Sequence, residues 1–191
     1  MKTDTIQFLT QEELEQLLKV IKKHSKRDHA IFYTAYRHGL RASEVGLLQL
    51  QDLDLDNFRI RIRRLKGSLS SVHHLSPKEV SMLKSYLRTR KGKDNNPVLF
   101  PSNRGTPISR KTLHVMMQKY GELAGIPKEK RKFRVLKHSI ATHMLDAGFD
   151  IIEVKDWLGH KNIENTMVYA QLTSRVRDEL ARKLSTSPRI V

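Results

Sequence analysis

Four short stretches of the chain hold side chains suited to chemistry on a charged ester, and they lie far apart in sequence. Gly39-Leu40-Arg41-Ala42-Ser43-Glu44 sets an arginine between a glycine able to stop one helix and a segment able to start another. Arg63-Arg64-Leu65-Lys66-Gly67 offers an ammonium beside two guanidiniums. Arg134-Val135-Leu136-Lys137-His138-Ser139 puts two cations three residues apart, on one face of a helix. Leu158-Gly159-His160 is followed, nine residues after the histidine, by Tyr169, with Thr166 between them. Breaking a DNA phosphodiester without a metal needs such a set: a nucleophile, cations on the non-bridging oxygens, and an acid for the leaving 5′ oxygen. Taken singly, each residue has a plainer account. Arg41 could be one more surface arginine and Glu44 its surface partner. Lys66, like Arg63 and Arg64, could be a phosphate-contacting loop residue, His160 a solvated loop histidine, and Tyr169 a core tyrosine.

The charge balance favours an anionic partner. Lys and Arg number 36 against 20 Asp and Glu, a net charge of +16 with an isoelectric point near 10.2. The cations are interleaved with Leu, Ile, Val and Met throughout, so the pattern is that of a folded nucleic-acid binder rather than a basic tail. With no cysteine, disulfides, thiol nucleophiles and thiolate zinc sites are excluded. No apolar run approaches the ~18 residues of a membrane span, and the first residues open no signal peptide, which predicts a soluble, cytoplasmic protein.

The elements that must position these residues are mostly helices. Thr10, Glu13 and the apolar stripe Leu14, Leu17, Leu18 and Ile21 predict a helix over 11–24, with Leu9 stapled to Leu14. A second helix is expected over 28–38, stopped by Gly39, and a short one over 43–49. Phe58, Ile60 and Ile62 alternate with Arg59, Arg61 and Arg63, predicting a half-buried strand with a basic face, paired in a hairpin with a strand near 72–75. Ser76-Pro77-Lys78-Glu79 caps another helix, with Val80, Leu83 and Leu87 as its stripe, ending before Gly92. A short strand over 98–100 and a turn at Asn103-Arg104-Gly105 precede a helix over 109–123. The last third reads as short helices over 135–146, 151–158, 163–170 and 175–184. This is one body of mainly α structure with a small antiparallel β-sheet, spanning 1–184, followed by a frayed tail over 185–191.

In that order and at those spacings, the arginine box around Arg41, the middle box Leu136-Lys137-His138-Ser139 with Ala141-Thr142-His143, and the box Leu158-Gly159-His160 with Thr166 and Tyr169 resemble the tyrosine recombinase (phage integrase) family. The resemblance runs from Phe8 to about Leu184 and implies that family's catalytic-domain fold. The chain's brevity is similar to that of the short recombinases that invert fimbrial switches. The resemblance also implies roles. Tyr169 would attack phosphorus and form a 3′-phosphotyrosyl bond, so that neither ATP, a metal nor any other cofactor is needed. Arg41 would clamp the phosphate, steadied by Glu44, Lys66 would be the general acid, His160 would donate to the scissile phosphate, and Trp157 would border the site. Arg59, Arg61, Arg63, Arg64, Lys128, Lys130, Arg131 and Lys132 are expected on backbone phosphates of double-stranded DNA. The stripe Val176, Leu180 and Leu184 suits packing on a neighbouring protomer, hence a dimer or tetramer on DNA.

One box departs from the family pattern. Where the family reads His-x-x-Arg, this chain has Arg134 and Lys137. The positive charge is kept, but the guanidinium fork is lost, and so is an imidazole able to accept the tyrosine's proton; Arg134 cannot act as a base. Water, His138 or the phosphate would take that proton. Two other functions stand beside site-specific recombination: relaxation of supercoils in the manner of a type IB topoisomerase, which uses the same constellation, and, given this departure, a degenerate, non-catalytic DNA-binding regulator on the same fold.

Overall fold

Thr10 opens helix α1 (Gln11–His24): its hydroxyl accepts from the Glu13 amide, and the Glu13 carboxylate accepts from the Thr10 amide. Leu14, Leu17 and Ile21 form its buried face. The computed structural model describes residues 6–65, 67–90, 96–172, 181–182 and 185–186. Helix α2 (Lys26–Arg37) starts two residues before the expected Asp28, because Ser25 ends α1 and also caps α2 by accepting from the Asp28 amide. It ends at His38, and Gly39 turns the chain at φ +57°.

Helix α3 is shorter than the expected 43–49, covering only Ala42–Val45. The residues after it are recruited by a distant strand-like segment. Gln49 bridges Val98, the Leu50 amide donates to Pro97, and Leu50–Asp52 form a 3-10 turn. The strand expected over 98–100 is correspondingly reduced to that bridge.

The sheet has three antiparallel strands in the order β1 (Leu53–Asp54), β2 (Arg59–Ile62) and β3 (Ser71–His74). The two-residue β1 is too short to show a period. In β2, Ile60 and Ile62 are buried while Arg59 and Arg61 face out, as their alternation requires. β3 starts one residue before the predicted position and inverts its apparent polarity. Ile60 pairs with His73, so His73 shares the core face, and Val72, opposite Arg61, is exposed. His73 is accommodated by stacking on Trp157 with ring centres 3.9 Å apart.

Helices α4 (Pro77–Thr89), α5 (Arg110–Leu123), α6 (Val135–Asp146), α7 (Ile151–Leu158) and α8 (Glu164–Ala170) follow, with a 3-10 turn at Lys128–Lys130. The fold is mainly α with a small antiparallel sheet, as expected. α2 packs against α1, α4 and α6, and α6 against α7 and α8. Nine of the twelve residues of α6 are buried, so it runs through the interior rather than along a surface. His143 fastens it there: its Nε2 donates to the Leu9 carbonyl, which leaves Nδ1 to accept from the Tyr36 hydroxyl. Tyr86 and Tyr120 are likewise packing residues, donating to the Leu99 carbonyl and to Asp28. The stripe Val176, Leu180 and Leu184 lies outside the described residues; residues 181–182 and, within the expected tail, 185–186 are helical. Among the described residues no helix is long and apolar enough to cross a membrane.

Candidate active site

The left-handed turn at Gly39 delivers Arg41 to the start of α3, where Glu44 grips it twice. One Glu44 oxygen accepts from the Arg41 amide at 2.9 Å and the other from Arg41 Nη1 at 2.7 Å. Glu44 is 0 % exposed, so this is no surface pair. Burial pushes its carboxyl up, but the bond from the Arg41 amide and the guanidiniums of Arg64 and Arg41 hold it below the usual carboxylate range. Arg41 Nη1 also donates to Ser68 at 3.2 Å, and the guanidinium remains partly exposed.

Helix α6 carries Lys137 into the interior, 5 % exposed, with Nζ donating to the Leu158 carbonyl at 3.2 Å. Burial, then the charges of Arg64 and Arg41, bring its ammonium down to about 7, with Glu44 acting weakly in the other direction. Next to it, burial and the charges of Arg134 and Lys137 bring His138 down to about 4, so its ring is neutral at pH 7. His138 Nδ1 is buried without a hydrogen-bond partner, and its ring meets Tyr169 edge to face at 5.8 Å. Arg134, at the helix start, is exposed.

Gly159 ends α7 at φ +67°, and the chain turns so that His160 faces the same place. His160 Nδ1 lies 2.9 Å from the Thr166 hydroxyl. With that hydroxyl donating, the imidazole carries its proton on Nε2, as a hydrogen-bond donor to an anion requires. Burial and the neighbouring Lys137, Arg41 and Arg64 push His160 down to about 3, so its ring is neutral rather than cationic at pH 7. Tyr169, on α8, is 4 % exposed, and burial raises its hydroxyl to about 12 against a lowering by Arg41. The phenol is therefore protonated at pH 7 and needs an acceptor to become a nucleophile.

Arg41, Arg134, Lys137, His138, His160 and Tyr169 all line one open cleft of ≈ 1330 Å³. Buried protonated tyrosine, neutral histidine and converging cations in one basic cleft are the parts of a phosphoryl-transfer site that works by positioning and charge. Residues 7–175 match the phage integrase family. The chain belongs to that family. It is 36% identical over 168 residues to the tyrosine recombinase XerA of Thermococcus onnurineus, covering 86% of this chain and 58% of XerA. It is 36% identical over 166 residues to the type 1 fimbriae regulatory protein FimB of Escherichia coli, covering 85% of this chain and 82% of FimB. Among solved structures, the recombinase XerH in its post-cleavage complex with difH superposes with a TM-score of 0.81 at 26% identity, covering 96% of this chain and 54% of that one. The chain thus spans about three-fifths of XerA's length.

Within this integrase fold several expected residues lie elsewhere than predicted. Arg64 is not on the surface: its side chain is 0 % exposed and bound to Glu44 and three backbone carbonyls, so it is enclosed and offers nothing to a DNA phosphate. Arg63 pairs with Asp52, Lys130 with Glu13, and Arg131 with Glu122 and the Ile126 carbonyl. These three are engaged within the fold, whereas Arg59, Arg61, Lys128 and Lys132 are exposed, Lys132 along the cleft. Trp157 does not border the cleft. Its indole donates to the Arg37 carbonyl and stacks on His73, which turns the ring away from the site. Lys66 lies outside the described residues.

Arg110, Lys111 and His114 on α5, with Lys161 after His160, also line the cleft and were not singled out from sequence. The signal for the first three was the basic start of α5. Gly159 yields a direct test of the geometry. A β-carbon there would lie 2.5 Å from the Leu69 carbonyl oxygen, in a left-handed conformation that costs other residues ~1–2 kcal/mol. Gly159→Ala is expected to lower the melting temperature by several degrees and to disturb His160, read out as a melt together with duplex cleavage.

Proposed function

We propose that this integrase-family chain cuts and rejoins double-stranded DNA as a site-specific recombinase. The observation that carries the proposal is the convergence of Tyr169, His160, Lys137 and Arg41, from four separate segments, on one basic cleft. The Tyr169 oxygen attacks the phosphorus as its proton passes to water, the neutral His138 beside it or the phosphate, the P–O5′ bond breaks, and a 3′-phosphotyrosyl ester replaces the phosphodiester. Arg41, Lys137, Arg134 and the His160 Nε2–H stabilise the non-bridging oxygens, and Glu44 keeps Arg41 aimed. Lys66, by the family resemblance, protonates the leaving 5′ oxygen. One phosphate ester is exchanged for another, so a 5′ hydroxyl from a second strand can reverse the step without an energy source. Exchange between two sites needs paired protomers, so a dimer or tetramer on DNA goes with this function, as does a cytoplasmic location.

Incubation with a nicked suicide duplex is expected to give an SDS-resistant protein–DNA band. Binding without any such band would favour the non-catalytic regulator, for which the Arg134 and Lys137 departure is the motivation. Relaxation of supercoiled plasmid by single protomers, without strand exchange, would favour the topoisomerase. Affinity for random duplex should fall steeply with salt, with a log–log slope of about −0.9 per phosphate neutralised. A flat salt response would refute an electrostatic interface.

A further inference from the structure

Arg64 has a fully enclosed side chain, yet it bonds to two of the segments that supply residues to the cleft, those leading to Arg41 and to His160, and itself begins a third. Nη1 donates to the Gly39 carbonyl at 2.8 Å and to Glu44 at 3.2 Å, while Nη2 donates to the His38 carbonyl at 2.8 Å and to the Trp157 carbonyl at 2.9 Å. Two of those carbonyls belong to the turn that leads to Arg41, and the third to the last turn of α7, three residues before His160. Arg64 itself begins the loop that contains Lys66. The same loop is tied down again from its other side, where the Leu69 amide donates to the Gly159 carbonyl at 2.9 Å and the Leu65 amide to Glu44 at 3.4 Å.

Diverging acceptors on separate segments need a rigid, planar set of donors, which a guanidinium has and an ammonium lacks. We propose that Arg64 is a positioning residue for DNA cleavage: a buried clasp that holds the Arg41 turn, the loop bearing Leu65 and Leu69 and the His160 turn in one register, and touches no DNA. The proposal rests on reading the cleft as a DNA-cleaving site. Arg64 has a second, electrostatic effect on the cleft. Lys137 is faced by the cations Arg64 and Arg41 and by the anion Glu44, with Arg134, His138, His160 and Tyr169 around it, and after burial Arg64 is the first cause of its lowered pKa.

Charge and geometry separate in two variants, Arg64→Lys and Arg64→Met, compared with the parent in single-turnover cleavage at saturating duplex, DNA affinity against salt, thermal melting and amide hydrogen exchange. Both are expected to cleave about tenfold more slowly, as reacting groups slip out of register. Both should keep the parent's affinity and salt slope, and both should exchange the Leu65 and Leu69 amides faster than amides of α1. Measured against pH, the parent's cleavage should decline on the alkaline side as Lys137 loses its proton; Arg64→Lys, retaining the charge, should keep that decline in place, whereas Arg64→Met should move it to higher pH. Should Arg64→Met fail to fold with Glu44 unpaired, Arg64→Lys decides the question, since it leaves a cation there. The clasp is overturned if Arg64→Lys cleaves at the parental rate while fully folded, or if the salt slope falls by about one, the mark of a lost phosphate contact. If the parent does not cleave, the reading of the cleft fails instead. The exchange of Leu65 and Leu69 then still decides the clasp, and unchanged exchange in both variants rejects it.

Discussion

Tyr169→Phe is expected to lose the covalent protein–DNA adduct entirely and to bind duplex DNA as tightly as the parent. The phenylalanine ring keeps the edge-to-face packing on His138 and the buried place on α8, so the fold has no reason to change. What disappears is the one oxygen able to displace the 5′ oxygen, and loss of a nucleophile costs at least ~10⁴-fold in rate. Affinity survives because it is spread over many cation–phosphate contacts, to which one hydroxyl adds little. Gel shift and suicide-duplex assays on the same preparation check both halves. A covalent band persisting in the variant would move the nucleophile to another residue.

Lys137 is expected to give the second largest effect and a pH signature of its own. As a buried cation lining the cleft it would stabilise charge that grows on the phosphate, and Lys137→Ala should slow cleavage at least a hundredfold, ~2.7 kcal/mol. Its folded pKa of about 7 is depressed from the ordinary lysine value, so in the free protein the charged form is full only below about pH 7. Cleavage at low DNA concentration should therefore decline as pH rises above about 7. At saturating DNA the decline should begin at higher pH, because a bound phosphate favours the ammonium. Lys137→Arg keeps its charge throughout this range and should cleave as fast as the parent or faster, with no such decline. Rate–pH profiles of the three proteins test the assignment. An alkaline limb surviving unchanged in Lys137→Arg would assign it to another group, and full activity in Lys137→Ala would remove Lys137 from the site.

Local patterns in the sequence carried the helices. The boxes at Thr10–Glu13 and Ser76–Glu79 and the stop at Gly39 place their boundaries to within a residue or two, because capping is a matter of residues three apart. The alternation of Ile60 and Ile62 with Arg59 and Arg61 likewise determined which face of β2 is buried. The ordered boxes that resemble the integrase family pointed to Arg41, Lys137, His160 and Tyr169, which line one cleft. Partnership across the fold was not legible, since it depends on which distant segments meet. Arg63 and Arg64 are adjacent and chemically identical, yet one sits half exposed on Asp52 while the other is enclosed by backbone carbonyls from segments 25 and 93 residues away. His73 reads as the polar side of a strand and is buried because its cross-strand partner is Ile60. Trp157 follows the same logic, its indole drawn away from the cleft by His73 and the Arg37 carbonyl. A local code can place a charge on a helix, strand or loop; whether that charge meets solvent, an anion or a buried carbonyl was decided only when the chain closed on itself.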